Sequence, residues 1–351
     1  MKILVTGGIG HVGRPAVARL LAHGHEVRIL DRVVESEIPA EAAAEVDGAE
    51  YRQVEITDYA TLRPHFEGVE AVVHLAAIPD PIPGKDAEIF SINCAGSFNV
   101  YQAAAENGIR RVVSASSINA LGNGYGIREI PIHYFPLDEA HPGSTSDVYS
   151  FSKQILEEIA AYFWRREGIS GACLRFPWVY SHTWFEHEQT EEFYTHFVAA
   201  YDGLMALPEA ERLLQVRQMF AKLRELRECH SRGEIGDDAV MEATYETPGA
   251  ILMHMRNDFW AMLDGRDAAQ AIEKAVLAEY TGSHPLWIVG SHNSTGLPTQ
   301  GLASLMYPDV QTWTRPVEGS ASLISIEKAR SLIGFEPEYS LNPEVSAQAM
   351  N

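Results

Sequence analysis

The chain has 351 residues, 46% apolar and 21% charged, with a formal net charge of −21. This length suits one large domain or two smaller ones with a sizeable core, and the composition is that of a globular protein. So acidic a chain argues against a nucleic-acid partner, whose phosphates need clustered Lys and Arg, and against an anionic membrane surface; a small-molecule partner stays open, because the potential inside a cleft differs from the net charge.

The N-terminus reads as a first strand, over 2–6, and not as a signal peptide, because its short apolar run meets glycines at once. Further short strands rich in Val, Ile and Leu are predicted over 26–31, 50–55, 70–75, 110–115 and 171–176. Helices are predicted between them, over 11–23, 59–66, 86–107 and 147–167. This alternation predicts an α/β, Rossmann-type doubly wound parallel sheet. Cofactor-binding and catalytic residues are assigned to a domain over 1–180, and a smaller, mostly helical substrate region to 181–351.

The pattern changes after Tyr180. Residues 184–247 hold 14 acidic and 6 basic side chains and read as a helical insertion. Leu213, Val216, Phe220, Leu223 and Leu226 repeat every three or four residues as an amphipathic stripe. Pro208 and Gly233 mark its start and stop. The insertion could pack on the main body, cover a site or form a dimer surface. Segments near 259–289 return to the first domain: a helix over 268–279 capped by Asp267 with Gln270 in a capping box, then a strand over 286–289. A last helix is predicted over 325–332. No run of about 18 apolar residues suggests a membrane span. Cys94, Cys173 and Cys229 lack metal or redox spacing and read as reduced thiols of a cytoplasmic protein.

Gly7, Gly10 and Gly13 lie at the turn from the first strand into the first helix. The first glycine permits the tight turn, the second clears space for a pyrophosphate, and the third lets helix and strand pack closely. Backbone N–H groups at the helix start, with His11 and Val12 beside them, would receive the phosphates. The second strand ends at Asp31, 18 residues after Gly13, where a carboxylate bonds an adenosine ribose and repels a 2′-phosphate. The cofactor expected is therefore NAD, with Arg32 the one neighbour that could tolerate the extra phosphate of NADP.

Tyr149 and Lys153 are spaced i,i+4, so they share a helix face. A free tyrosine titrates near pH 10. A neighbouring ammonium favours the phenolate, so Tyr149 can move a proton to or from a substrate oxygen. Ser117 can hydrogen-bond that oxygen and fix its distance from the cofactor.

With these motifs the chain resembles the extended short-chain dehydrogenase/reductase family, which includes NAD-dependent sugar epimerases and dehydratases. The matching stretches are Thr6 to Gly13, Asp31, His74-Leu75-Ala76-Ala77, Asn93 with Asn99-Val100, Ser116-Ser117, Tyr149 with Lys153, Leu174-Arg175-Phe176-Pro177, and Lys328-Ala329-Arg330 through Gly334-Phe335. The resemblance implies a catalytic Ser117, Tyr149 and Lys153, and an Asn93 that supports cofactor and lysine. It implies that Leu75, Ala76 and Ala77 line the adenosine side, that Ala115 and Ser116 border the cofactor, and that Pro177 and Val179 meet the nicotinamide. Glu55-Ile56 stands where the family usually has an Asp-hydrophobic pair at the adenine. A homodimer through helices 86–107 and 147–167 would also suit the resemblance.

Departures narrow the reaction. Family dehydratases carry an Asp-Glu pair after the catalytic Ser/Thr, whereas Ile118-Asn119 follows Ser117 here. Trp178 stands where nucleotide-sugar epimerases often have an Asn. The expectation is an NAD-dependent oxidoreductase acting on a small sugar, sugar acid or polyol, with Asn119, His133 and Trp178 as candidate substrate contacts beside Ser117. The rivals are an NAD-dependent sugar epimerase and a non-catalytic NAD-binding sensor or scaffold. His182, His187 and His196 lack supporting carboxylate or cysteine spacing, so no metal site is expected.

Overall fold

The computed structural model describes residues 1–181, 189–236, 239, 240, 242 and 250–340. Nine strands are described: β1 Lys2–Thr6, β2 Glu26–Asp31, β3 Glu50–Gln53, β4 Ala71–His74, β5 Val112–Ser117, β6 Gly171–Phe176, β7 Trp178–Tyr180, β8 Met262–Asp264 and β9 Ser283–Trp287. Seven form one sheet in the order β3-β2-β1-β4-β5-β6-β9, and every pairing is parallel. The order reverses between β1 and β4. A crevice for a ligand opens at such a switch point, outside the carboxyl ends of the strands.

The helices that flank the sheet are α1 Gly13–Ala22, α2 Ala40–Glu45, α3 Tyr59–Leu62, α4 Asp86–Phe90, α5 Ser97–Glu106 and α6 Val148–Glu167. A π-helical turn over Ser91–Gly96 joins α4 to α5, so the single helix expected there carries one widened turn. Strands β1, β4 and β6 are almost wholly buried, which matches their continuous apolar sequence. One core gathers Ile3, Val5, Val17 and Ile29 with Trp260, Trp287 and Phe335, so it joins the first strands to the last third of the chain.

Beyond the sheet lie α7 Gln189–Met205 and α8 Glu209–Ser231, then helices Ala250–Arg256, Gly265–Leu277, Thr299–Met306 and Glu327–Ile333. Helix α8 starts directly after Pro208 and ends before Gly233, as the breakers implied, and Val216 and Met219 on it are buried. Three expectations need correction. The helix assigned to 268–279 begins at Gly265 and is capped by Asp264, whose side chain accepts from Arg266 N–H at 2.8 Å. Asp267 sits inside it, accepting from the N–H groups of Glu338 and Tyr339 at 2.9 and 3.0 Å. Gln270 bonds Glu338 at 2.7 Å instead of completing a capping box. The strand expected over 286–289 lies three residues earlier, as β9, and pairs with β6. The two-stranded β7–β8 sheet and the helices at 40–45, 250–256 and 299–306 carried no legible pattern. No described helix is long and apolar enough to cross a membrane.

Candidate active site

The glycine loop owes its shape to three separate constraints. Gly7 has φ +72°, and a Cβ there would stand 2.7 Å from Ala76 N. A Cβ on Gly13 would collide with Gly7 O and with the backbone of Gly8. Gly10 is exposed, and its only close neighbour would be Gly7 O at 3.2 Å. The loop is thus packed against β4 and α1 but open at its centre, where a pyrophosphate must approach. Helix α1 has no side-chain N-cap and no acidic residue in its first turn, so its positive end is left for an anion. Asp31 stands beside this loop. Its carboxylate accepts from Ile9 N–H and Val33 N–H, both at 3.3 Å.

A buried relay locks β1 to β4 under the loop. Ser97 donates to Asn93 O, so the proton of His74 sits on Nε2 and is donated to Ser97 Oγ at 2.8 Å. Thr6 then donates to His74 Nδ1 at 2.7 Å and accepts from the N–H groups of Leu75 and Ala76. Burial pushes the His74 imidazole down to about 3, with the Lys153 charge acting the same way, so it stays neutral. Asn93 accepts from Ile78 N–H at 2.8 Å and donates to Ile78 O and to Ser152 Oγ. It fixes the chain after β4 and the α6 residue next to Lys153. Asn99 donates to Ile56 O at 3.0 Å, and the Ile56 side chain lies against Gly96. These contacts hold the Glu55-Ile56 stretch in place.

One cavity of about 1100 Å³ runs from this loop past the end of β5. Its wall includes His11, Val12, Leu75, Ala77, Ala115, Ser116, Ser117, Asn119, Tyr149, Lys153, Pro177, Trp178 and Val179, so most of the residues singled out from the sequence meet there. His11 Nε2 donates to Val179 O at 2.8 Å and ties the glycine loop to the strand after Pro177. Trp178 is half exposed at the rim. Gly7, Gly10, Gly13, Asp31, Arg32, Glu55, Ile56, Ala76 and Asn93 lie outside this cavity's lining and build the loop and the β2–β3 end beside it.

Ser117, Tyr149 and Lys153 are all buried. Ser117 ends β5, accepts from Asn119 N–H at 3.1 Å and lies close to Tyr149. Asp147 caps α6 by accepting from Ser150 N–H at 2.8 Å, which fixes where Tyr149 enters the cavity. Lys153 donates to Ala115 O at 2.8 Å, and its Nζ lies 5.6 Å from the centre of the Tyr149 ring. Burial lowers the Lys153 amine to about 8. Burial also pushes the Tyr149 phenol well above its ordinary range, the neighbouring Ser117 hydroxyl pulls it down, and Asp80, Asp147 and Asp258 push it up again. In this environment the tyrosine therefore holds its proton firmly.

Two sequence expectations change here. His133 is exposed, lies outside the cavity and stacks on His141 with ring centres 5.3 Å apart, because the 128–142 loop is tied to the last third of the chain. Ser116 turns its hydroxyl away from the cofactor side, donating to Glu157 at 2.7 Å, where Arg175 also binds with two nitrogens. His182 and His187 lie outside the described residues; no metal-binding cluster is found among the described ones.

The far wall was missed from sequence. Leu223, Arg227, His230 and Ser231 of α8 line it, with Asn257 and Asp258 from the segment before β8. Arg227 donates to Gly124 O at 2.6 Å and to Gly126 O at 3.4 Å, pinning the loop after β5 beneath the helix. Phe259 and Trp260 follow Asp258 with φ of 55° and 52°, a left-handed turn held by two fully buried rings. Tyr125 donates to Asp80 at 2.7 Å and meets the Tyr149 ring edge-on. Of the three readings of the 184–247 insertion, its described α8 both packs on the body and covers the cavity.

Residues 3–219 match the NAD dependent epimerase/dehydratase family. A uronate dehydrogenase of Pseudomonas syringae pv. tomato is 28% identical over 174 residues, which is 50% of this chain and 58% of that protein. An L-arabinose 1-dehydrogenase (NAD(P)(+)) of Haloferax volcanii is 31% identical over 184 residues, 51% of this chain and 67% of that protein. The chain thus spans somewhat more than half the length of these curated relatives. A solved UDP-glucose 4-epimerase of Thermotoga maritima, with UDP-glucose, superposes with a TM-score of 0.61 at 19% identity, covering 100% of this chain and 98% of that one.

Proposed function

The chain belongs to the NAD dependent epimerase/dehydratase family, and we propose that it is an NAD-dependent oxidoreductase of a small hydroxylated substrate: a sugar, sugar acid or polyol. The observation that carries this reading is the meeting of Ser117, Tyr149 and Lys153 in a cavity that begins at an open, uncapped glycine loop. The residues present fit the dinucleotide: Gly10 leaves room for its pyrophosphate, and Asp31 stands where the adenosine ribose of NAD would bond. The oxidised nicotinamide, when bound, supplies a hydride acceptor and a positive charge. Tyr149 Oη takes the substrate hydroxyl proton as hydride leaves the same carbon. Ser117 Oγ orients the substrate oxygen. Lys153 adds the charge that opposes the burial of the phenolate. In the reverse direction the firmly held Tyr149 proton is donated to a carbonyl.

Residues 1–180 form the cofactor and catalytic domain in this reading, and 181–351 the substrate region, with β9 and the Gly265–Leu277 helix returned to the first. Exposed Phe90, Phe98, Phe151 and Tyr162 on α4, α5 and α6 support a homodimer across those helices; sedimentation at a single mass of one chain would remove it. The three unpaired cysteines support a cytoplasmic setting.

The test is a panel of sugars, sugar acids and polyols with NAD, followed both as NADH and by product analysis. NADH that accumulates with one substrate supports the dehydrogenase. An epimer formed without NADH release establishes the rival epimerase, which would use the same three residues. Tyr149→Phe should lower kcat by about 1,000-fold with NAD affinity retained; full activity in that variant sinks the mechanism.

A further inference from the structure

The far wall of the cavity carries chemistry that the three reacting residues do not use. Asn119 is 7% exposed, lines the cavity, and its Oδ1 has no hydrogen-bond partner among the described residues. Asp258 lines the same wall, and its Oδ1 is likewise buried and unpartnered among them. The two oxygens converge: a Cβ on Gly124 would collide with Asn119 Oδ1 and stand 2.9 Å from Asp258 Oδ1. Two unmet acceptors side by side call for two donors, since a buried acceptor without a partner is costly. Adjacent hydroxyl groups on a carbon chain present such a pair.

Carboxylates outnumber cations around this point. Asp80, Asp147 and Asp258 all face the cavity, and all three act on the Tyr149 phenol, so their field reaches the reacting oxygen. Lys153 is held on Ala115 O beside the catalytic tyrosine. Arg227 on the far wall offsets part of the Asp258 charge, and its terminal nitrogens meet the Gly124 and Gly126 carbonyls. A carboxylate or diphosphate placed there would meet more carboxylates than cations.

Resting on the oxidoreductase reading above, we infer that Asn119 and Asp258 form a hydroxyl-reading subsite, and that the substrate is an uncharged polyhydroxyl compound, an aldose or polyol, and not a sugar acid or nucleotide sugar. Asp258 also repels the anionic counterpart of the true substrate. A site built to bond hydroxyl groups discriminates strongly, because an analogue that fails to donate leaves its polar groups unpaired.

The experiment uses the NAD-loaded full chain and matched pairs: glucose with glucuronate, galactose with galacturonate, mannose with mannuronate. Binding is read by calorimetry, and turnover as NADH and as epimer. The neutral member of the best pair should bind at least about 10-fold tighter. Asp258→Asn keeps an acceptor oxygen and removes the charge, so the uronate-to-neutral ratio of kcat/KM should rise about 10-fold with NAD affinity unchanged. Asp80→Asn, on an exposed residue, should move the ratio the same way if the first variant does not fold. Asn119→Ala should weaken the neutral sugar about 10-fold. A wild-type preference for the uronate, a ratio unmoved by both charge removals, or no binding of either class overturns the inference. Neutral sugar bound without NADH or epimer leaves the subsite standing and overturns the oxidoreductase reading instead.

Discussion

The two walls of the cavity are specified in different ways. The wall made by β1, β4 and β5 takes its residues from short stretches whose spacing follows from backbone geometry. Gly7, Gly10 and Gly13 shape one turn, and Tyr149 and Lys153 share one helix face. The opposite wall takes Arg227 from an inserted helix and Asp258 from a segment 139 residues further along than Asn119, which reaches it from the helical turn after β5. No periodicity joins those three. A wall that binds a common dinucleotide can be coded locally; a wall that fits one substrate is assembled by tertiary packing. Substitutions on the first should therefore strike cofactor binding and folding, and substitutions on the second should strike substrate recognition alone.

Gly13→Ala should have the largest effect, and on the cofactor side. The new methyl would press into Gly7 O and the Gly8 backbone, neither of which is a flexible side-chain end. Overpacking of this kind costs about 1–3 kcal/mol, so at its upper end NAD affinity should fall by about 100-fold. Titration of NAD by protein fluorescence measures it. Unchanged affinity would mean that the loop does not hold the dinucleotide in this shape, and the contrast between the walls would lose its first term.

The same contrast explains what the sequence made legible. The parallel sheet and its helices were readable because strands buried on both faces are continuous apolar runs, and because the βα turn has its own glycine signature. Pro208 and Gly233 bracketed α8 for the same local reason. The cap of the Gly265–Leu277 helix was misread because both Asp264 and Asp267 fit the local pattern. Only the distant N–H groups of Glu338 and Tyr339 decide that Asp267 serves elsewhere. His133 was misplaced similarly: its loop position suggested the substrate, but Phe135 and Leu137 bridge to Trp313 and Ile324 and carry it away. Asp258 had no local signal at all. Its place depends on a left-handed turn at Phe259 and Trp260 that two buried aromatic rings hold.

His74 sharpens the contrast through pH. Its imidazole titrates near 6.5 when unfolded and is pushed to about 3 in the fold, burial being the main cause. Between those values the unfolded chain binds the extra proton, so stability rises with pH across the window and is flat above it. Moving from pH 7.5 to pH 5 should cost about 2 kcal/mol from this residue alone. His74→Gln should lose that slope, whatever its own baseline. Urea unfolding of both proteins at the two pH values reads the difference. Equal slopes would show that the β1–β4 relay does not depend on a neutral imidazole.

Arg227→Met should have the smallest of these effects, and on the other wall. The guanidinium ties the Gly124–Gly126 loop to α8 at 2.6 and 3.4 Å, and Met fills a similar volume without the bonds. Gly124, which takes the shorter of the two bonds, lines the wide cavity, so water can replace the donor lost there and the fold should hold. What changes is the placement of Gly124, against which Asn119 and Asp258 are set. Loss of a charge-assisted bond of this kind amounts to about 1–2 kcal/mol when water takes over part of it. KM should rise about 5- to 30-fold, kcat should move little, and the NAD dissociation constant should not change. A fall in NAD affinity would place Arg227 in the same cooperative unit as the glycine loop, and the two walls would then be one structure rather than two independently specified ones.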